Sequence, residues 1–299
     1  TSWGDAHLLI SGAQQYEEFG LKATAIGSPY TSAGAVSISG GLIVNGRGSA
    51  EAEIYSSSLS VLGQGIDVTA TAGQTAGSYY DYYYAVTREI GTALTSGESG
   101  TASYGRAVFL FDTGMQFGDF DATDVTVSGP IAALNIVGAG AVTMDSLSVL
   151  GATAANAPQL GELLTFQFNP EQSLHTEIVG GLTLATIDAS GVLEIGNVDV
   201  VGTGAVVVSM VGQNGVTLGN VTVSAESGSY FSDNPDYPQA EDFDFGDAVV
   251  DIRTGSTDPA QLTSLDVRAD ENVHMGLQVS ASGAVYIEAG RGGNGGHLD

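Results

Sequence analysis

The chain has 299 residues, 34 of them acidic and only 7 basic, which gives a formal net charge of −27. Such a charge excludes nucleic-acid binders and binders of anionic lipid, because both depend on Lys and Arg. The absence of cysteine excludes disulfides and thiolate chemistry, and no apolar run reaches the roughly 18 residues of a membrane-spanning helix.

The predicted elements are short strands with an apolar residue at every second position, separated by Gly, Asn and Ser. The first 30 residues contain one such strand, around Leu8 and Ile10, and we expect them to form an N-terminal cap or the first coils. Strands then fill residues 31–288. Residues 289–299 are Gly-rich and are predicted to form a flexible tail. Three segments interrupt the strands as predicted outgrowths: 76–107, 156–180 and 226–242.

A repeat of about 22 residues relates the strands to one another. Val198 and Val221 begin equivalent strands 23 residues apart, and Val221, Phe243 and Leu265 follow at intervals of 22. The step from Leu147 to Val198 is 51 residues, which is two periods plus about seven. We assign this excess to an inserted loop.

A parallel β-helix is the predicted fold, a solenoid with three short strands in each coil. Strands of three to five residues with period-two alternation exclude amphipathic helices. Val198, Val221, Phe243 and Leu265 are predicted to stack in one inward column. A β-sandwich also has short strands, but it gives no reason for a 22-residue interval across most of the chain.

Two coil sequences carry a family resemblance: Leu-Glu-Ile-Gly-Asn-Val-Asp-Val from Leu193, and Thr-Leu-Gly-Asn-Val-Thr-Val-Ser-Ala-Glu-Ser-Gly from Thr217. They resemble the coils of filamentous-haemagglutinin-type adhesins and other bacterial surface β-helix proteins. The resemblance implies an extracellular or cell-surface location, after removal of an export signal, and a structural or adhesive role.

Two acidic segments share the spacing Asp-Phe-Asp-x-x-Asp. In a strand, the two outer carboxylates of Asp-Phe-Asp lie on one face and Phe lies on the other. A third Asp at a corner would complete an oxygen site for Ca²⁺. The alternative is a solvated acidic surface, and no cofactor is required by any motif. The candidate ligands are Asp119, Asp121, Asp124, Asp242, Asp244 and Asp247.

A carbohydrate-active β-helix enzyme, or a phage-type receptor-binding spike, is the alternative function. An enzyme of that kind gathers acids and a cationic group on one outer sheet. The arginines are scattered in the sequence, and no Arg, Lys or His residues are grouped near the Asp-Phe-Asp segments. We therefore do not expect an enzyme.

Five tyrosines within six residues form the most unusual local feature, and they suit an interface or carbohydrate stacking as well as packing within an outgrowth. They are Tyr79, Tyr80, Tyr82, Tyr83 and Tyr84.

The strand with Val285 and Ile287 lies close to the Gly-rich tail. We expect it to meet Leu8 and Ile10 of a second copy, so that the chain polymerises head to tail into a filament or sheath. Surface glycans are further expected partners, whereas nucleic acid and membrane insertion are not expected.

Overall fold

The computed structural model describes residues 10–11, 35–46, 49–70, 106–114, 117–129, 131–151, 165–167, 175–179, 181–232, 241–243, 246–291 and 296–298. These residues form strands and connecting turns, with no helix among them. Accordingly, no helix capable of crossing a bilayer occurs in this part of the chain.

The described strands are numbered in chain order. They are β1 (Ile10–Ser11), β2 (Val36–Ile38), β3 (Leu42–Gly46), β4 (Ser49–Tyr55), β5 (Leu59–Val61), β6 (Ile66–Ala70), β7 (Arg106–Asp112), β8 (Phe120–Ser128), β9 (Ile131–Ala139), β10 (Val142–Leu150), β11 (Thr165–Gln167), β12 (His175–Val179), β13 (Gly181–Ala189), β14 (Val192–Gly212), β15 (Gly215–Glu226), β16 (Gly228–Ser232), β17 (Glu241–Phe243), β18 (Ala248–Thr254), β19 (Ala260–Ala269), β20 (Val273–Leu277), β21 (Val279–Ala281) and β22 (Val285–Glu288).

Eighteen of these strands form one continuous parallel sheet that winds into a solenoid, as the sequence predicts. A complete coil has three faces, which in one coil are residues 193–195 (face 1), 198–201 (face 2) and 206–212 (face 3); the last described coil has strands on faces 1 and 2. Eight coils follow one another in the described residues, and β1 adds a ninth strand to face 2. The coils cover residues 36–55, 59–112, 120–137, 142–189, 193–212, 216–254, 260–277 and 279–288.

Stacked apolar columns form the core, because alternation sends every second side chain of each strand inward. One column on face 2 has nine register positions that run through the described solenoid from Ile10 to Ile287. The seven between these ends are fully buried: Val44, Val68, Val127, Val149, Val200, Val223 and Val267. Side chains of similar size at about 4.8 Å spacing pack without voids and remove apolar area from water.

The predicted column through Val198, Val221 and Leu265 is confirmed, but Phe243 was wrongly placed in it. Val221 pairs directly with Leu265, and Phe243 pairs with Gly228 in a separate antiparallel sheet. The 44 residues from Val221 to Leu265 are two periods long only because an inserted segment has almost the length of a coil. Leu147 likewise pairs directly with Val198, so their whole excess over one period is a single insertion.

All three insertions in the described solenoid leave at the same corner, between face 2 and face 3, and they do so in alternate coils. Residues 71–105 interrupt the second coil, 151–180 the fourth and 227–247 the sixth. Strands from the last two insertions join into a four-stranded antiparallel sheet, in the order β11-β12-β16-β17. The two insertions meet through the β12–β16 pair. We call this four-stranded unit the accessory sheet.

Candidate functional site

The first acidic segment has the predicted alternation. Phe120 is fully buried, with ring centroids 6.1 Å from Phe109 and 5.3 Å from Phe111. Asp119 is exposed and Asp121 is half-buried, on the opposite side of the strand. The Asp119 carboxylate accepts a hydrogen bond of 2.8 Å from the N–H of Ala141, in the next coil. The Asp119 carboxylate therefore links two successive coils.

Asp124 lies at the corner between face 1 and face 2, where polar side chains of successive coils form a hydrogen-bonded ladder. Ser146 donates to the Asp124 carboxylate at 2.5 Å. Further along, the Asn220 amide donates to Asn197 Oδ1 at 3.0 Å, and Ser264 donates to Asn220 Oδ1 at 2.8 Å. Register links Asp124, Ser146, Asn197, Asn220 and Ser264 in one row. We call this row the corner ladder.

The second acidic segment is divided between two structural units. Asp242 lies in β17 of the accessory sheet, opposite Ser229. Asp247 precedes β18 of the solenoid and accepts hydrogen bonds from the main-chain N–H and side-chain amide of Asn272, at 3.0 and 2.9 Å. Asp244 lies outside the described residues.

Within the described ranges, no group of three or more acidic or histidine side chains is arranged to hold a metal ion. Asp119 and Asp124 instead accept hydrogen bonds from the neighbouring coil. Calcium binding by the acidic segments stays a prediction.

The predicted interface residues Ile10, Val285 and Ile287 lie at the two ends of face 2. In β22, Val285 is 52% exposed although it occupies an inward position beside Leu265. Ala281 and Ile287 in the last coil, and Leu277 just before it, are only partly buried, whereas Leu262, Leu265 and Val267 of the preceding coil are buried. Leu8 and the five clustered tyrosines lie outside the described residues.

The outer edge of β22 has no strand beside it in the described part of the chain. The N–H of Leu265 donates to the Ala284 carbonyl at 3.0 Å. In a parallel ladder, successive residues direct their main-chain groups to opposite neighbours. Ala284 and Tyr286 therefore bond to β19, whereas the main-chain groups of Val285 and Ile287 point away from the solenoid.

Outward side chains at this end form a small polar cluster. The Arg268 guanidinium pairs with Asp266 at 2.8 Å and lies 4.9 Å from the ring centroid of Tyr286. A hydrogen bond with Glu288 raises the pKa of the Tyr286 phenol. This cluster lies on the outward side of β22, on the face opposite Val285 and Ile287.

A second candidate site, which the sequence analysis did not find, is a shallow groove on face 3. Two adjoining cavities of about 450 and 490 Å³ lie along it, and Arg253 lines both. Thr186, Ser209, Asp251 and Gly276 occupy neighbouring register positions in four strands and form its floor. We call this site the face 3 groove.

The walls of the face 3 groove differ in character. Asp188, Val211 and Arg253 occupy adjacent register positions along one side, and Val249 and His274 lie on the other. Asp251 forms an ion pair with Arg253, whose side chain is 63% exposed. This hydrogen bond raises the pKa of Arg253. The groove brings acids and an arginine to one outer sheet, an arrangement that their scattered sequence positions did not predict.

Comparison with known proteins identifies no relative. No family model, no curated protein and no solved structure matches the chain.

Proposed function

We propose that this protein is an extracellular structural or adhesive subunit that stacks head to tail into a cell-surface filament or sheath. The observation that carries the proposal is the outer edge of β22 on face 2, which has no paired strand among the described residues and where the inward residue Val285 is 52% exposed. A strand edge in this state is a template for another strand.

A second copy is the occupant that fits this end. Ile10 and Ile287 hold the first and last described register positions of the row that contains the inward column on face 2. Placing β1 of one copy beside β22 of another would continue that column with a residue of the same type. The contact is heterologous, with different surfaces on the two copies, and it generates an open filament.

The resemblance of the coils to filamentous-haemagglutinin-type adhesins supports the same role. A solenoid presents long, regular outer faces, and its insertions leave at one corner. Repeat proteins commonly place such insertions on their binding side. An adhesive surface on the faces and an assembling surface at the ends are therefore compatible.

The variant Val285→Lys tests the stacking contact. In the isolated subunit the lysine reaches water, because Val285 is 52% exposed. In a stacked pair it would bury a charge without a partner, which is strongly unfavourable. Sedimentation velocity over a range of concentrations should show assembly of the wild type and loss of assembly in the variant.

Ser280→Lys is the matched control, because Ser280 is an exposed residue of the same coil that faces outward. It adds the same charge and should assemble as the wild type does. A wild-type protein that stays monomeric at high concentration, or a Val285→Lys variant that assembles normally, contradicts the proposal.

A further inference from the structure

We infer that the face 3 groove is a binding site for a neutral oligosaccharide, a role separate from end-to-end stacking. The floor of the groove crosses four strands, which places hydrogen-bonding side chains over about 14 Å at the usual strand spacing. A ligand that uses the whole floor is therefore an extended chain and not a single small molecule.

The groups in the groove match the chemistry of sugar hydroxyls, which both donate and accept hydrogen bonds. Asp188 and Asp251 offer carboxylate acceptors, Arg253 offers donors, and Thr186 and Ser209 offer hydroxyls that do both. Gln213 adds an amide in the same cavity, and Val211 and Val249 provide apolar surface for the C–H face of a sugar ring.

One acceptor in the floor is buried without a partner in the described structure. Asp251 pairs with Arg253 through Oδ2, whereas its Oδ1 has no hydrogen-bond partner. An unsatisfied buried acceptor is costly, and a donor from a ligand removes that cost. Gly276 lies beside this atom, and a Cβ there would add a further contact at 3.0 Å from Asp251 Oδ1.

Other ligand classes fit less well. Strands β13, β14 and β18 are paired on both sides, so a peptide cannot join the groove by strand addition. The net charge of −27 opposes anionic ligands such as phosphates or acidic sugars. The shallow, open cavities offer no enclosed apolar pocket for a lipid or an aromatic cofactor.

The test is binding of the intact protein to an array of immobilised neutral glucan and mannan oligosaccharides, followed by calorimetry with the best binder. The variant Arg253→Ala should weaken binding about tenfold, the loss expected for one charge-assisted hydrogen bond. The side chain of Arg253 is 63% exposed, so the variant is expected to fold as the wild type does, and circular dichroism verifies this.

Arg268→Ala is the matched control. Arg268 is also exposed and also pairs with an Asp two residues earlier, but it lies on face 2. It should change affinity by less than about twofold, because it lies outside the groove. Absence of saturable binding to the whole array, or an equal loss in both variants, overturns the inference. Neither outcome bears on stacking, which Val285→Lys tests independently.

Discussion

At the scale of single residues, the corners of the solenoid allow very little space. Gly219 lies at the corner between face 1 and face 2, and a Cβ there would lie 1.5 Å from the carbonyl oxygen of Gly196 in the preceding coil. The neighbouring Asn220 belongs to the corner ladder. The Gly-Asn pairs that mark the repeat thus combine close main-chain approach with a side chain that bonds to the next coil.

The variant Gly219→Ala should therefore destabilise the protein by about 3 kcal/mol or more, since the clash involves main-chain atoms of both coils. Gly40→Ala is the control, because a Cβ at Gly40 meets nothing within 4 Å. Urea denaturation compares the two variants. Similar free energies of unfolding for the two variants would show that the corner at Gly219 has room for a Cβ.

Individual core positions could be predicted wherever no insertion intervenes. Val198 and Val221 are 23 residues apart and do pair. Phe243 was misassigned because spacing alone cannot distinguish a coil from an insertion of similar length.

The face 3 groove was not predicted for a related reason: Ser209 and Asp251 are adjacent in register but separated by an insertion in sequence. The Asp-x-Arg pattern of residues 251–253 would have been a usable signal once the register was known.

At the scale of elements, the accessory sheet joins two insertions that leave from alternate coils. Each of the two described hairpins contributes two strands, and strands in a sheet are about 4.8 Å apart. The two hairpins leave from the fourth and sixth coils, and they join side by side through β12 and β16.

Replacing residues 228–246 with a short Gly-Ser turn should leave the solenoid folded and expose β12. The fifth coil already passes from face 2 to face 3 without an insertion. Hydrogen exchange should rise in residues 175–179, which lose their β16 partner, and stay low in residues 192–212. The same replacement of residues 72–104 is the control and should leave exchange in 175–179 unchanged. Fast exchange throughout 192–212 would mean that the accessory sheet is needed for the coils to fold.

At the scale of the whole molecule, charge opposes both folding and assembly. A net charge of −27 on a parallel solenoid repeats acidic side chains along one axis, and their repulsion is screened by salt. Stacking two copies brings two such charges together. Assembly is therefore expected to be stronger at high ionic strength.

We expect Ca²⁺ or high salt to raise the melting temperature. If Ca²⁺ binds at the acidic segments, Asp121→Ala and Asp244→Ala should each reduce the Ca²⁺ effect and leave the salt effect intact. Differential scanning calorimetry in NaCl and in CaCl₂ at matched ionic strength separates the two. An unchanged Ca²⁺ response in both variants would identify the segments as a solvated acidic surface.

The fold class was predictable from sequence because the repeat determines the stacking of coils, whereas the ends depend on contacts that a repeat does not specify. Head-to-tail stacking requires that the row of register positions from Ile10 to Ile287 continues from one copy into the next. Cryo-electron microscopy of the concentrated wild-type protein shows whether it does. We predict filaments whose strands lie perpendicular to the axis, with the spacing of about 4.8 Å unbroken across subunit junctions. Separate short rods, or copies joined side by side, would contradict it.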